Sequence, residues 1–430
     1  MNTIYFVEKN IQNWISCNVE PSQDEIWKVG ELLGQPTRKR EVVIKRYSEI
    51  FNRLIVKNCV EIGENDKVCI YTWNPRAYIR YFPVTLHATG TILRFKGYCD
   101  VDLLAYPIHR SFDPEVKGVT LPTSEVPVET TKRVDGWQVT AYYDPILKRW
   151  MFATKYVLHN MYYERGRLVV EEYGNIVNPY VEMADAIASS TGLYEKLKGH
   201  EGWTFTFTLV GPEPAITKPP PPILMGDYLD KYKLLLVVAR KPNGQLLSVR
   251  ESGELLDWET VPIIDTKESI GDLAVKAERS LDTRSYMVRL GGDLETPPLY
   301  ELKSKYYPEA MRFKFLYDAK SYTILATSNL SSEALRLVDD ENVKSVIKEI
   351  DNYIEIYREV LSRRMREGYD DLETMFTSDN VLRRLVGDLR KARSTGSIDR
   401  LLRKLLAVIL DGKSVFDAKA VLEEYLNVLK

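Results

Sequence analysis

The chain has 430 residues, 44% of them apolar and 28% charged, with a formal net charge of −2 at pH 7. That length buries a sizeable core and predicts two or three domains, and the composition is that of an ordinary soluble protein. Near-neutrality excludes a chain-wide pull on nucleic acid, so any surface that binds it has to be a local patch.

Four cysteines, Cys17, Cys59, Cys69 and Cys99, are scattered without metal-ligand spacing. They are expected to be reduced, buried thiols of a cytoplasmic protein, with no metal site. No apolar run reaches the ~18 residues that span a bilayer, and Met1-Asn-Thr-Ile opens no signal peptide. The 27 tyrosines suit β-rich packing and identify no function.

In chain order, residues 1–66 read as a mainly helical segment, with apolar spacing in Glu25–Leu33 and Glu49–Val56. Arg38-Lys39-Arg40 between them reads as a solvated loop, with phosphate contact as its functional alternative. Residues 67–328 form the predicted central domain. Short β-type runs appear at Val68–Thr72, Thr91–Phe95 and Leu103–Tyr106, and strand character continues to about Tyr317. A helical stretch near Val181–Leu197 interrupts it. Lys218-Pro-Pro-Pro-Pro222 reads as a stiff connector or, alternatively, a docking segment for a proline-binding domain. Residues 329–430 read as a C-terminal helical domain that starts with Ser331 as a cap. Helices are expected over Val343–Met365, Asn380–Arg393, Ile398–Leu410 and Val415–Leu429, punctuated by Gly368, Gly396 and Gly412.

The stretch that carries a chemical signal is Lys132-Arg133-Val134-Asp135-Gly136, followed by the alternation Val139, Ala141, Tyr143. By itself Asp135-Gly136 is a common turn pair. In series with other segments between about Lys67 and Lys314, it resembles the bacteriophage-type ATP-dependent RNA ligases, which repair broken tRNA. Their Lys-x-Asp-Gly lysine attacks ATP to form lysyl-AMP. With Asp135-Gly136 aligned, that position falls on Arg133.

Leu86-His-Ala-Thr-Gly-Thr-Ile-Leu93 stands where the family has an Arg-Gly pair, with Thr89 at the arginine. Pro107-Ile-His-Arg-Ser-Phe-Asp113 is similar to Pro-x-x-Lys-Phe-Phe-Asn, with Arg110 for lysine. Trp150-Met-Phe-Ala-Thr-Lys155 resembles the strand that carries Lys-Gly-Ser; Lys155 is kept, and Tyr156-Val157 replace the small pair. Thr204-Phe-Thr-Phe-Thr-Leu-Val-Gly-Pro212 is similar to Phe-Glu-Leu-Val-Gly-Pro, with Thr208 for the sugar-binding glutamate. Tyr232–Gly244 resembles the core strand and turn that follow. Arg284-Ser-Tyr-Met-Val288 stands for Glu-Gly-Tyr-Val-Val, so Arg284 replaces a metal-side glutamate. Glu301-Leu-Lys-Ser304 stands for Lys-x-Lys and keeps only Lys303, with Lys305 as a neighbouring charge.

The resemblance implies an α+β fold: an antiparallel-sheet nucleotidyltransferase domain of the ATP-grasp-like ligase kind, with a C-terminal all-helical domain. It also implies a pocket remnant of Arg133, Asp135, Gly136, Lys155, Thr208, Arg284 and Lys303. Arginine stays charged at physiological pH and is a poor nucleophile. Arg284 would add positive charge where a divalent cation belongs, and Glu301 would put negative charge where phosphate is neutralised. The scaffold reads as kept and the reaction as lost, with Trp137 and Tyr156 expected to fill the pocket.

The expected function is therefore a catalytically inactive RNA-ligase relative that binds RNA (tRNA-like or broken ends) or serves as partner subunit of an RNA-processing complex. Two alternatives are an active ligase and a structural component of a larger assembly. In the active ligase a strand bulge makes Lys132 the nucleophile and ATP and Mg2+ are used. Candidate RNA contacts are the basic residues Arg383, Arg384, Arg390, Lys391, Arg393, Arg400, Arg403 and Lys404, beside a smaller cluster at Arg363, Arg364 and Arg366. The aromatics Trp137, Tyr142, Tyr143, Tyr162 and Tyr163 are candidates for base stacking or sheet packing.

Overall fold

The computed structural model describes residues 1–74, 83–116, 118–159, 179–212, 214 and 226–430. The proline tract Lys218–Pro222 and the aromatics Tyr162 and Tyr163 lie outside the described residues. The chain divides into two compact units, Met1–Ala277 with Ser285–Lys303, and Glu278–Arg284 with Ser304–Lys430.

The first unit is a mixed α and antiparallel-β structure. One sheet has the order β1 (Ile55–Gly63), β2 (Asp66–Trp73), β3 (Thr89–Lys96), β4 (Asp100–Ala105). A second has the order β7 (Arg149–Thr154), β6 (Trp137–Asp144), β8 (Thr204–Val210), β9 (Lys233–Arg240). A third has β11 (Leu299–Lys303), β10 (Ser285–Arg289), β5 (Glu129–Arg133).

Strand pairing begins at Ile55, ahead of the expected Lys67. The helix ends at Leu54, and the β-branched pair Ile55-Val56 enters a hairpin with β2 through a turn holding Asn65 at φ +57°. β2 is central and almost wholly buried, so its apolar run Val68–Tyr71 serves two faces. On one face lie the helices Thr3–Ser16 and Gln23–Leu32, through Ile4, Val7, Trp14 and Val29. The latter starts with a Ser22–Glu25 capping box, a device worth about 1 kcal/mol. On the other face, Val68, Ile70 and Ile92 meet Tyr142, Met151 and Ala153 of the second sheet. That sheet's far side is covered by the helices Pro179–Ser190 and Val249–Leu256. Segment Glu259–Ile264 ties β9 to β5: Leu236 N–H donates to the Glu259 carbonyl and Lys132 N–H to that of Pro262, both at 2.9 Å.

The cysteine reading is corrected. Cys59 and Cys69 are directly opposed in the β1–β2 register with Cα atoms 4.1 Å apart, and they form a disulfide. Cys17, at the end of the first helix, is bonded to the exposed Cys99 in the β3–β4 turn. The argument for a cytoplasmic protein from free thiols falls with that expectation. No helix among the described residues is long and apolar enough to cross a membrane.

The second unit is helical from Tyr307, where strand character to Tyr317 was expected. Its longest helix, Glu341–Glu367, buries Val343, Ile347, Ile350, Ile354, Tyr357 and Leu361 at three- and four-residue steps. The Tyr357 hydroxyl donates to the Leu422 carbonyl at 2.7 Å, in the helix Val415–Leu429. Ser331 is not a cap. It sits inside the short helix Ser331–Leu335, and its hydroxyl donates to Asp351 at 3.0 Å. The expected helix Asn380–Arg393 is a 3-10 turn, Leu382–Leu385, running into the helix Val386–Thr395.

Candidate functional site

Alternation along β5 decides which of its basic residues is presented. Arg133 pairs across β10 with Ser285, which pairs in turn with Lys303, and Thr131, Met287 and Glu301 form the next rung. These residues share one face of the three-stranded sheet. Lys132, opposite Tyr286, belongs to the other face. There Val288 and Leu302 pack against Ile270, Leu273 and Ala277 of the helix Ile270–Arg279. The β5–β10 register runs unbroken through Arg133, so no bulge moves Lys132 to the presented face.

On the presented face the Arg133 guanidinium is ion-paired and hydrogen-bonded to Glu301, which is buried. The Ser285 hydroxyl donates to the same carboxylate at 2.9 Å. Burial by itself raises the Glu301 carboxyl. The charge and hydrogen bond of Arg133, with Ser285 and Lys303, outweigh it and hold the group below its ordinary value. The two substitutions seen in the sequence are thus complementary: an arginine and a glutamate, at places where the resemblance puts lysines, hold each other. Lys303 is bound to Asp113, with Glu115 at 3.6 Å.

Beside this pair lies a second group built by other strands. Lys155 follows β7 in a turn held by Thr154, whose hydroxyl accepts from the N–H groups of Tyr156 and Val157 at 3.2 and 3.0 Å. Gly90 on β3 lets the chains close up, since a Cβ there would lie 3.3 Å from the Lys155 Cα, and its φ is +103°. The Lys155 amine stands 4.5 Å from the centre of the Trp73 ring and 5.6 Å from that of Tyr156. The Arg110 guanidinium is 4.3 Å from the same indole and donates to Thr85 Oγ1 at 3.1 Å. Burial first, then the charges of Arg133 and Arg110, lower the Lys155 amine to about 7 against a smaller upward pull from Glu301.

Asp135, Gly136 and Thr208 form a third group at the start of β6. Asp135 is buried. A Cβ on Gly136 would fall 2.3 Å from the Leu209 carbonyl oxygen and 2.7 Å from the Thr208 methyl, so only glycine fits there. Trp137 meets Tyr180 at a tilt with ring centres 5.2 Å apart, whereas Tyr156 is 46% exposed and does not fill a pocket. Tyr142 is fully buried and Tyr143 meets Trp150 edge-on, which makes both sheet packing rather than base platforms. Arg284 lies in the second unit, where its carbonyl accepts from Ser304 N–H at 2.9 Å.

The resemblance implies a divalent cation, and this face does not fit one. Its carboxylate Glu301 is held by Arg133 and Ser285 among the cations Arg110, Arg133 and Lys155. Among the described residues no group of three His, Cys, Asp or Glu is placed to hold a metal ion.

The basic residues of the helical unit are largely engaged. Arg390 pairs with Glu373 at 2.6 Å, Lys404 with Asp388 at 2.5 Å and Arg393 with Asp370 at 3.8 Å. Arg383 donates to the Thr377 carbonyl at 2.9 Å and Arg403 to that of Thr327 at 3.0 Å. Arg384, Lys391 and Arg400 are exposed. Sequence reading missed Trp73, Ser285 and the Asp113 partner of Lys303. The one available signal was the reversal of charge at Glu301, which asks for a cation nearby.

No protein-family model and no curated protein matches the chain. Among solved structures it is similar to an archaeal ATP-dependent RNA ligase, at 12% identity over 77% of this chain and 79% of that one, with a TM-score of 0.39. A second form of that ligase gives the same identity and score. The RNA ligase of Naegleria gruberi with PPi is similar at 10% identity over 60% of this chain and 98% of that one, with a TM-score of 0.30. Scores of this size fix no residue correspondence, so the site rests on its own geometry.

Proposed function

We propose that this is an RNA-ligase-like protein of the nucleotidyltransferase fold that binds RNA ends and does not seal them through lysyl-AMP at the motif position. The observation that carries this reading is the Arg133–Glu301 pair. A permanently charged guanidinium, tied to a buried carboxylate, stands at the position that the motif resemblance gives to the amine nucleophile. Lys132 lies on the opposite face of the sheet and does not stand in for it. What the face retains is positive charge at Arg110, Arg133 and Lys155 beside the indole of Trp73, a combination that suits a terminal phosphate and an adjoining base.

The test is binding of a single-stranded RNA with a 5′-phosphate, followed by fluorescence anisotropy at several salt concentrations. Binding should weaken with salt, and Arg110→Ala should lower the logarithmic slope by about 0.7, as expected for one lost phosphate contact on a single strand. An RNA that binds equally well to Arg110→Ala and Arg133→Ala would overturn the site. A chain that binds no RNA would replace this reading with that of a partner subunit.

A further inference from the structure

The two disulfides of the first unit differ in what a sulfur in solution can reach. Cys59 and Cys69 sit within the β1–β2 ladder, between the pairs Asn58–Ile70 and Val60–Val68. Cys69 is wholly buried, in the core shared with the helices Thr3–Ser16 and Gln23–Leu32. Attack at the half-buried Cys59 would expel the Cys69 thiolate into that apolar core. A charged sulfur is disfavoured there, and a thiol whose ionisation is disfavoured leaves slowly.

Cys17–Cys99 is placed otherwise. Cys99 is exposed in the β3–β4 turn together with its chain neighbours Tyr98 and Asp100. Gly97 of the same turn would carry a Cβ with nothing within 4 Å, so the approach to this sulfur is open. Cys17 is half-buried and follows the last residue of the helix Thr3–Ser16, where an expelled thiolate stays in reach of water. Exposed disulfides with an accessible leaving sulfur are the labile ones.

We infer that Cys17–Cys99 is a thiol-exchange site at which an external thiolate attacks Sγ of Cys99, whereas Cys59–Cys69 is a fixed structural bond. The incoming sulfur forms an S–S bond with Cys99. The Cys17–Cys99 bond breaks, and its electron pair leaves on the Cys17 sulfur, which takes a proton from water. A second external thiolate attacks the incoming sulfur of the mixed disulfide and releases Cys99, which is protonated in turn. The two external thiols are oxidised to one disulfide as the protein's bond is reduced to two thiols. The site stands apart from the phosphate-binding face and does not rest on it.

Reduction opens a covalent link that spans 82 positions, and other contacts still hold the helix. Ile4, Val7, Ile11 and Trp14 stay in the core, and Gln12 Nε2 donates to the Tyr98 carbonyl at 2.6 Å. The fold should therefore outlast the bond and keep the two sulfurs near enough to rejoin.

The experiment takes the full oxidised chain under native conditions, with glutathione in one arm and thioredoxin, its reductase and NADPH in the other. Free thiols are alkylated at intervals and located by peptide mass spectrometry. Cys17 and Cys99 should become reactive together, about tenfold sooner than Cys59 and Cys69. In the glutathione arm the adduct should sit on Cys99 and be absent from Cys17. Reduction in either arm supports the site, and the faster arm at equal thiol concentration names the source. Circular dichroism should stay native. The Tm should fall on reduction, and Cys99→Ser should show the lowered Tm with no further fall. Equal rates at the two disulfides, an adduct on Cys17, or unfolding that accompanies the reduction overturns the inference.

Discussion

Two regions of this molecule carry dense positive charge, and they use it in opposite ways. In the helical unit Arg390, Arg393 and Lys404 each meet a carboxylate, and Arg383 and Arg403 spend their guanidiniums on carbonyls. On the β5 face, Arg133 holds the buried Glu301, and Arg110 and Lys155 lie over the indole of Trp73. On the proposed reading the stripe, denser in sequence, is the weaker anion site. Pairing decides the field a phosphate meets, and pairing is a property of the fold.

The largest effect expected from breaking this contrast is at the scaffold. Gly136→Ala drives a methyl into the Leu209 carbonyl and should cost about 3 kcal/mol in urea unfolding. Gly387→Ala in the helical unit, where a Cβ meets nothing within 4 Å, should be neutral or stabilising. Glu301→Ala should cost about 2 kcal/mol, because Arg133 keeps partial contact with solvent, whereas Asp388→Ala should cost under about 1 kcal/mol. Equal losses at the two sites would erase the contrast. In RNA binding Arg133→Ala should lose about tenfold in affinity and Arg390→Ala less than about twofold. The smallest effect is on pH dependence. The folded Lys155 amine is lowered to about 7 and the unfolded one titrates at its ordinary 10.5, so the unfolded chain binds more protons between those values. Stability attributable to Lys155 should therefore rise between pH 7 and 9, by about 1 kcal/mol after allowance for screening, and the rise should vanish in Lys155→Met.

Much of the scaffold was legible because its signals are local. The apolar run Val68–Tyr71 and the three- and four-residue spacing of Glu341–Glu367 state strand and helix within a few residues. Asp135-Gly136 was legible as a constrained turn, although the Leu209 carbonyl that demands the glycine belongs to another strand. The sequence flagged Arg133 and Glu301 separately as misplaced charges. Their union spans 168 positions, and only the β5–β10–β11 register makes it. The disulfides were hidden for the same reason, since Cys59–Cys69 follows from a hairpin register and Cys17–Cys99 from a helix end meeting a turn 82 residues away. Lys155 was visible as a lysine that the motif resemblance matches. Its surroundings were not, because Trp73 and Arg110 arrive from separate parts of the chain.

The alternation of β5 also limits how this protein can change over generations. Lys132 and Arg133 are neighbours in sequence and lie on opposite sides of the sheet, so a one-residue slip would exchange them. The slip would set a guanidinium on the face where Val288 and Leu302 pack against Leu273 and would move Glu301's partner away from it. Placing a lysine beside Glu301 by that path would disrupt the packing of the sheet. A single codon change at position 133 would place a lysine there with every strand in register, and it would inherit the carboxylate already waiting. A lysine on the presented face is therefore reached by substitution at position 133 and not by rearrangement of the strand.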